Sequence, residues 1–134
     1  MPLIVINRLD NLGDQRGVMH RVNRSSLDFL GRCREMHAGT IEPGAIRGNH
    51  YHTDRKELLI VIHSDRFRFV WQEKNQDNVH TETFAGSGAV AIEISPGAIH
   101  AIKNTGQQSM TLIACSDGPF DQEYKDTGRR RILT

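Results

Sequence analysis

The sequence Gly-Ala-Ile-Arg-Gly-Asn-His-Tyr-His occupies residues 44–52, and Glu57 follows it closely. His50 and His52 are separated by one residue, so on an extended strand their side chains point to the same face. A third histidine, His100, begins another β-rich run. Three imidazoles and one carboxylate form a ligand set that suits a divalent transition metal. We therefore predict one metal ion (Zn, Fe, Mn or Ni) on these four side chains.

The rest of the chain is a series of short β-rich runs separated by turn residues. Residues 57–63 are almost entirely apolar, which is typical of a strand buried on both faces. The next run alternates and places Phe67, Phe69 and Trp71 on one face. Roughly ten runs at a spacing of about 8–12 residues predict an all-β sandwich or barrel. The other expected strands are residues 3–6, 18–22, 32–41, 79–84, 88–94, 100–104 and 110–116, with a helical turn at 25–30 that Ser25 or Ser26 would cap.

Length and composition are those of an ordinary globular domain. The chain has 134 residues, of which 37% are hydrophobic and 25% charged, so we expect one domain over residues 1–134. The net charge of +1 provides no field to attract nucleic acid or a membrane surface, and no apolar run could span a bilayer. The apolar residues near the N-terminus are too few for a signal peptide, so a cytoplasmic location is expected.

The spacing of the candidate ligands resembles the two sequence motifs of the cupin superfamily. Residues 44–64 match the first motif at its leading glycine, its His-x-His pair and its glutamate, although Ser64 stands in place of the closing glycine. Residues 88–104 match the second motif at His100 and Asn104. The resemblance implies a single-domain jelly-roll barrel, the double-stranded β-helix, with the ligands facing its interior. Asn104 is either a partner of a metal ligand or a turn residue.

A second resemblance, over Arg-Gly-Asn-His-Tyr-His at residues 47–52, is to cupin enzymes that act on nucleotide-linked keto-sugars. These are the dTDP-4-keto-6-deoxyhexose 3,5-epimerases, the 3,4-ketoisomerases and the C-terminal cupin domain of capsular polysaccharide synthesis reductases. The turn around Arg16 resembles one in the 3,5-epimerases, and the segment ending at Tyr124 resembles the one that carries their catalytic tyrosine. The metal-binding capsular cupins match best, because the plain epimerases lack the second histidine.

The resemblance implies an epimerase or isomerase of surface polysaccharide biosynthesis that removes a proton next to a keto group. A divalent metal would polarise the carbonyl, and Arg47 and Arg16 would bind the diphosphate or a hydroxyl of a nucleotide-sugar. Tyr124 would donate the proton, and Trp71 would stack on a base or sugar ring. With His50 as a ligand, the general base is left open among His37, a metal-bound hydroxide and a residue that the sequence does not identify.

Other interpretations stay open from the sequence. Arg47 and Arg16 could be rim arginines, Tyr124 an anchor near the C-terminus, and Trp71 part of the core or of a dimer interface. The run at residues 129–131 is interpreted as a solvated tail, with phosphate binding as a second possibility.

Two other functions also fit the cupin resemblance. An iron-dependent dioxygenase could use the same four ligands, and a sugar-binding or regulatory cupin would have no catalysis at all. Fold alone does not decide among these functions. The resemblance also implies a homodimer formed through edge strands.

Overall fold

The structure is a computed structural model that describes residues 2–118 and 126–134. That part of the chain contains ten β-strands and one short α-helix, which confirms the predicted all-β class. In chain order the elements are β1 (Ile4–Leu9), α1 (Arg24–Leu30), β2 (Glu35–Ile41), β3 (Ile46–His52), β4 (Glu57–His63), β5 (Phe67–Glu73), β6 (Val79–Phe84), β7 (Gly88–Ile94), β8 (Ala98–Asn104), β9 (Met110–Ser116) and β10 (Thr127–Arg129). The helix found in the described part of the chain has seven residues, too few to span a bilayer.

The strands form two five-stranded sheets in which all the pairings are antiparallel. The first sheet has the order β1-β7-β4-β9-β2, and the second has the order β10-β3-β8-β5-β6. Successive strands β3 and β4 belong to different sheets, so the chain crosses between the sheets in the few residues after His52. Buried side chains from both sheets form one shared core. This arrangement is the predicted cupin jelly roll.

Burial follows the hydrophobic pattern of the sequence. Strand β4 is central in its sheet, paired with β7 on one side and β9 on the other, which explains its apolar sequence. Phe67 and Phe69 are completely buried, and Trp71 packs partly buried against the same core, as the alternation predicted. The Phe67 ring stacks on Phe84 with ring centroids 4.4 Å apart.

The helix α1 packs on the outer face of the first sheet. The Ser26 hydroxyl donates to Oε2 of Glu93 at 2.9 Å, and Nδ2 of Asn7 donates to the same oxygen at 3.0 Å. The prediction that Ser25 or Ser26 caps the helix is wrong, because the N-cap is Asn23. Ser26 is instead fully buried within the helix, where its hydroxyl satisfies a carboxylate of the sheet.

The alternating residues 18–22 do not form a strand, contrary to the prediction. Only isolated bridges close a turn over residues 11–20, and Val18 and Met19 are 55% and 66% exposed. A strand needs a neighbour for its backbone hydrogen bonds and a core under one face. Among the described residues this run has only an isolated bridge from His20 to Asn11, and Val22 alone packs against a buried cluster.

Strand β3 is distorted at the centre of the histidine motif. Its pairing with β8 changes register between Gly48 and His50, and Asn49 between them has a positive φ of 58°. Gly48 has φ +99°, and a Cβ added there would lie 2.6 Å from the carbonyl oxygen of His100. Only glycine therefore permits this close approach of β3 to β8.

The C-terminal segment is fastened to β3 by Asn49. Its Oδ1 accepts hydrogen bonds from the backbone N–H groups of Ile132 and Leu133, at 2.9 and 3.1 Å. Its Nδ2 donates to the carbonyl oxygen of Leu133 at 3.1 Å, and its own carbonyl accepts from the N–H of Arg130 at 2.9 Å. These contacts place β10 along the edge of the second sheet, beside the histidines.

Candidate metal centre

The three histidines and Glu57 converge at one end of the core. His50 and His52 lie on β3, His100 lies on the neighbouring β8, and Glu57 begins β4 in the opposite sheet. Ligand atoms of His50, His52 and Glu57 lie within 4.8 Å of one another. His100 joins them through Glu57, since its Nε2 is 3.4 Å from Oε1 of that carboxylate. The structure thus brings together all four predicted ligand residues.

The orientation of the imidazoles favours a cation at this point. Nδ1 of His100 must donate to the carbonyl of Ala98, 3.1 Å away, which leaves Nε2 with a lone pair when the ring is neutral. That Nε2 is buried and has no hydrogen-bond partner among the described residues. Nε2 of His52 likewise lies 3.5 Å from Oε2 of Glu57. Lone pairs that face a carboxylate at these distances require a proton or a metal ion between them. The donor set therefore fits a divalent transition metal.

The ionisation of two ligands is also suited to a metal. Burial, and next the proximity of His100, lowers the pKa of His50 from 6.5 to about 4, so the ring is neutral at pH 7. Burial by itself would raise the pKa of Glu57. When the His100 and His52 rings are protonated, their hydrogen bonds and positive charge outweigh burial and hold the pKa of Glu57 below its ordinary value. A neutral imidazole and an ionised carboxylate are the forms that coordinate metals.

Two residues that the sequence analysis did not identify lie behind His52. Nδ1 of His52 is 3.0 Å from Oγ1 of Thr127 and 3.6 Å from Oδ1 of Asp126. Asp126 is buried, and its Oδ1 is 3.0 Å from Nε of Arg55. Burial alone would raise the pKa of Asp126, but the charge and hydrogen bond of Arg55 outweigh it and lower the pKa. Nothing in the local sequence marks these residues, because only the pairing of β10 with β3 brings them to His52.

A cavity of about 450 Å³ lies between the sheets over the ligand cluster. His50, Glu57 and His100 form part of its lining, together with aliphatic side chains of β4, β8 and β9. The predicted residues His37 and Arg47 line the same cavity. A molecule bound in this space would therefore contact both the ligand cluster and these two polar groups.

The two polar groups each have a partner that fixes their orientation. Nε2 of His37 is 3.1 Å from Oε1 of Glu35, although the imidazole is largely exposed. Nε and Nη2 of Arg47 donate to the carbonyl oxygen of Thr40, at 3.1 and 3.0 Å. Since a guanidinium has five N–H groups, Arg47 keeps donors for a ligand.

Arg129 also lines this cavity, and the sequence analysis had placed it in a solvated tail. It lies on β10 directly opposite His50 on β3. In the sequence Arg129 belongs to a run of three arginines, which is typical of a solvated tail and does not indicate a residue that lines a cavity. The cavity therefore has two arginines, Arg47 on β3 and Arg129 on the adjacent strand β10.

The remaining predicted residues lie elsewhere or outside the described residues. Neither Arg16 nor Trp71 is among the described residues that line the cavity. The side chain of Arg16 is 86% exposed and its Nη2 is 2.7 Å from Oδ2 of Asp14. The Trp71 ring stacks on His80 with centroids 5.4 Å apart. Tyr124 falls outside the described residues, so its role stays a prediction.

Asn104 is a turn residue and does not support a metal ligand. Its Nδ2 donates to the carbonyls of Ile41 and Gln108, at 2.8 and 2.7 Å, and its Oδ1 accepts from the N–H of Gly106 at 3.0 Å. These bonds use both polar atoms of the side chain. Four residues along β8 from His100, or about 13 Å, it is also too far away to orient that ring.

Comparisons with known proteins agree with this architecture. The family model for the polysaccharide biosynthesis C-terminal domain matches residues 12–128. A reductase of Pseudomonas aeruginosa, UDP-2-acetamido-2,6-beta-L-arabino-hexul-4-ose reductase, is 34% identical over 94 residues, which is 66% of this chain and 23% of the reductase. The chain therefore spans only about a quarter of the length of that relative.

Several solved structures share the fold. The capsular polysaccharide assembling protein CapF of Staphylococcus aureus superposes with a TM-score of 0.66 at 23% identity, covering 75% of this chain and 27% of CapF. A dTDP sugar isomerase of Desulfovibrio desulfuricans gives 0.76 at 13% identity, covering 96% and 83% of the two chains.

The 3,4-ketoisomerase QdtA of Thermoanaerobacterium thermosaccharolyticum, as a point mutant in complex with TDP-4-keto-6-deoxyglucose, gives a TM-score of 0.72 at 13% identity. The match covers 97% of this chain and 89% of QdtA. At such low identity these structures support the fold alone. The family match covers most of the sequence, and the chain belongs to the polysaccharide biosynthesis C-terminal domain family.

Proposed function

We propose that this chain holds one divalent transition metal on its three histidines and Glu57 and acts as an epimerase or isomerase on a nucleotide-linked keto-sugar. The observation that carries the proposal is the placement of the ligand cluster in the wall of a 450 Å³ cavity that also contains two arginines and a histidine. Family membership supports a role in polysaccharide biosynthesis. The complex of QdtA with a TDP-linked keto-sugar makes this substrate class the natural one to test.

Each polar group of the cavity has a role in this reaction. A bound metal would act as a Lewis acid on the keto oxygen and make the neighbouring C–H group more acidic. Arg47 and Arg129 bind the diphosphate, because guanidinium groups form paired hydrogen bonds with phosphate oxygens. His37 accepts the proton from carbon, and Tyr124, the donor predicted from the sequence, returns a proton to the enolate to complete the reaction. The Nε2–H of His37, bonded to Glu35, would leave Nδ1 unprotonated as the base.

Proton exchange with solvent is the decisive measurement. The chain, loaded with Zn²⁺, would be incubated in D₂O with TDP-4-keto-6-deoxyglucose, and the sugar analysed by NMR. We expect deuterium at the carbon next to the keto group, with loss of exchange in His52→Ala and full exchange in His20→Ala, a half-buried histidine that is not part of the ligand cluster or the cavity lining. Binding without deuterium would contradict catalysis and favour a sugar-binding cupin. Consumption of oxygen with Fe²⁺ would favour a dioxygenase instead.

The role of Arg129 has its own matched control. Arg129→Gln removes the guanidinium from the cavity, whereas Arg131→Gln changes an exposed arginine that does not line it. Losing one charged contact to a phosphate costs about 1.5–3 kcal/mol, so the KM for the nucleotide-sugar should rise about 10- to 100-fold in Arg129→Gln alone. Equal KM values for the two variants would contradict diphosphate binding by Arg129.

A further inference from the structure

One candidate ligand, His52, has a side-chain contact with a residue near the C-terminus, Thr127. Thr127 begins β10 and pairs directly across from His52 on β3. Its Oγ1 is 3.0 Å from Nδ1 of His52, a contact between residues 75 positions apart in sequence. The side chain of His52 is only 11% exposed, while Thr127 covers it from an exposed position on the edge strand.

The groups around Nδ1 determine which nitrogen of His52 carries the proton. The second oxygen near Nδ1 is Oδ1 of Asp126, at 3.6 Å. An ionised carboxylate only accepts hydrogen bonds, and a hydroxyl next to it satisfies it by donating. Oγ1 of Thr127 is 3.5 Å from that carboxylate and so has its lone pairs free for the imidazole. Both oxygens therefore stabilise the form of His52 with the proton on Nδ1.

Asp126 is itself rigidly held. Nε of Arg55 lies within hydrogen-bonding distance, at 3.0–3.1 Å from its oxygens. The backbone N–H groups of Asp54 and Arg55 donate to Oδ2 at 3.4 and 3.3 Å. The side chain of Asp126 is only 1% exposed. This carboxylate thus serves as a fixed negative charge behind Thr127.

We infer that Thr127, supported by Asp126, is a positioning residue that keeps Nε2 of His52 unprotonated and directed at Glu57. The inference rests on the proposed function, in that it concerns the metal site assigned there. With Nδ1 protonated, the lone pair of Nε2 points to the space beside Oε2 of Glu57, 3.5 Å away. Hydrogen-bond partners behind a ligating histidine typically change metal affinity about 10- to 100-fold.

The test compares Zn²⁺ affinity, by competition with a chromophoric chelator, in three variants of the full chain. Thr127→Val removes the hydroxyl and retains the β-branched shape, Thr127→Ser restores the hydroxyl, and Thr111→Val is a control on an exposed position of β9. We expect Thr127→Val to raise the Kd for Zn²⁺ at least about tenfold, with Thr127→Ser close to wild type and Thr111→Val unchanged. The visible spectrum of the Co²⁺ complex should change in Thr127→Val alone, which a merely structural role would not produce.

The outcomes separate this inference from the proposed function. If wild type binds neither Zn²⁺ nor Co²⁺, the metal site is wrong and the inference is overturned with it. If wild type binds Zn²⁺ and Thr127→Val binds it equally well, only the inference is overturned. The ring ¹⁵N chemical shifts of His52 in metal-free wild type provide a test that needs no variant. Protonated Nδ1 and unprotonated Nε2 are expected, and the opposite tautomer would overturn the inference.

Discussion

Replacement of Asn49 by alanine tests whether the histidine strand organises the C-terminal segment. The substitution removes three side-chain hydrogen bonds, two from backbone N–H groups of Ile132 and Leu133 and one to the carbonyl of Leu133. At about 1 kcal/mol each, their loss costs about 3 kcal/mol. Alanine at φ 58° adds about 1 kcal/mol, because the left-handed region is unfavourable for residues with a Cβ. We therefore expect Asn49→Ala to lower the free energy of unfolding by about 4 kcal/mol.

Two further variants separate the contributions of backbone and side chain. Asn49→Gly removes the same hydrogen bonds but tolerates the positive φ, so its loss should be about 1 kcal/mol smaller than that of alanine. Asn49→Asp retains an acceptor for the two N–H groups and loses only the donor to Leu133, so it should be the mildest, with a loss of about 1–2 kcal/mol. The expected order of destabilisation is alanine, glycine, aspartate.

Urea denaturation measures the loss in the free energy of global unfolding, and amide hydrogen exchange measures the loss in local stability of the C-terminal segment. If the C-terminal segment opens before the barrel unfolds, exchange at Ile132 and Leu133 will accelerate more than exchange in β4, and the global loss will be smaller. Because the same segment supplies Thr127 and Arg129, Zn²⁺ affinity should fall as well. A loss below about 1 kcal/mol, together with unchanged exchange at Ile132 and Leu133, would refute the reasoning.

Three other predictions follow from single contacts. Gly48→Ala places a Cβ 2.6 Å from the carbonyl of His100 at φ +99°. It should lower the free energy of unfolding by about 2–3 kcal/mol and weaken Zn²⁺ binding; unchanged values would contradict the close approach of β3 and β8. Asn104→Ala leaves two carbonyls and one N–H without their partner and should cost about 2–4 kcal/mol in urea denaturation, with unchanged Zn²⁺ affinity. In metal-free protein His50, whose pKa is lowered from 6.5 to about 4, takes up a proton more readily when unfolded. Its contribution to stability is therefore present above pH 6.5 and is lost as the pH falls towards 4, by about 3 kcal/mol at most. Subtracting the pH curve of His50→Gln from that of wild type should reveal this slope, and parallel curves would argue against it.

The strands were predictable where the sequence pattern coincides with a buried face. Strands β4 (Glu57–His63) and β5 (Phe67–Glu73) belong to the shared core, and their apolar or alternating pattern is a direct result of burial. The same alternation at residues 18–22 predicted a strand that does not exist. Alternation describes which faces a run would present, but a strand also needs a neighbour to pair with, and only the tertiary structure provides one.

The candidate ligands were predictable for a related reason. His50 and His52 are close in sequence, so local geometry nearly fixes their relative position, and the cupin resemblance added Glu57 and His100. The contact of Thr127 with His52 was not predictable from the sequence. Thr127 lies 75 residues from His52, and its neighbours in sequence are ordinary polar residues.

Periodicity in the sequence predicted the all-β class and the core strands, the short spacing of His50 and His52 placed them on one face, and the cupin resemblance linked them to Glu57 and His100. The position of Thr127 and Arg129 beside the histidines is visible only in the folded chain, as is the position of Arg16 and Trp71 outside the cavity lining. Thr127 and Arg129 reach the histidines because β10 pairs with the edge of β3, and this pairing depends on the backbone conformation at Asn49 and on its hydrogen bonds to residues more than 80 positions away.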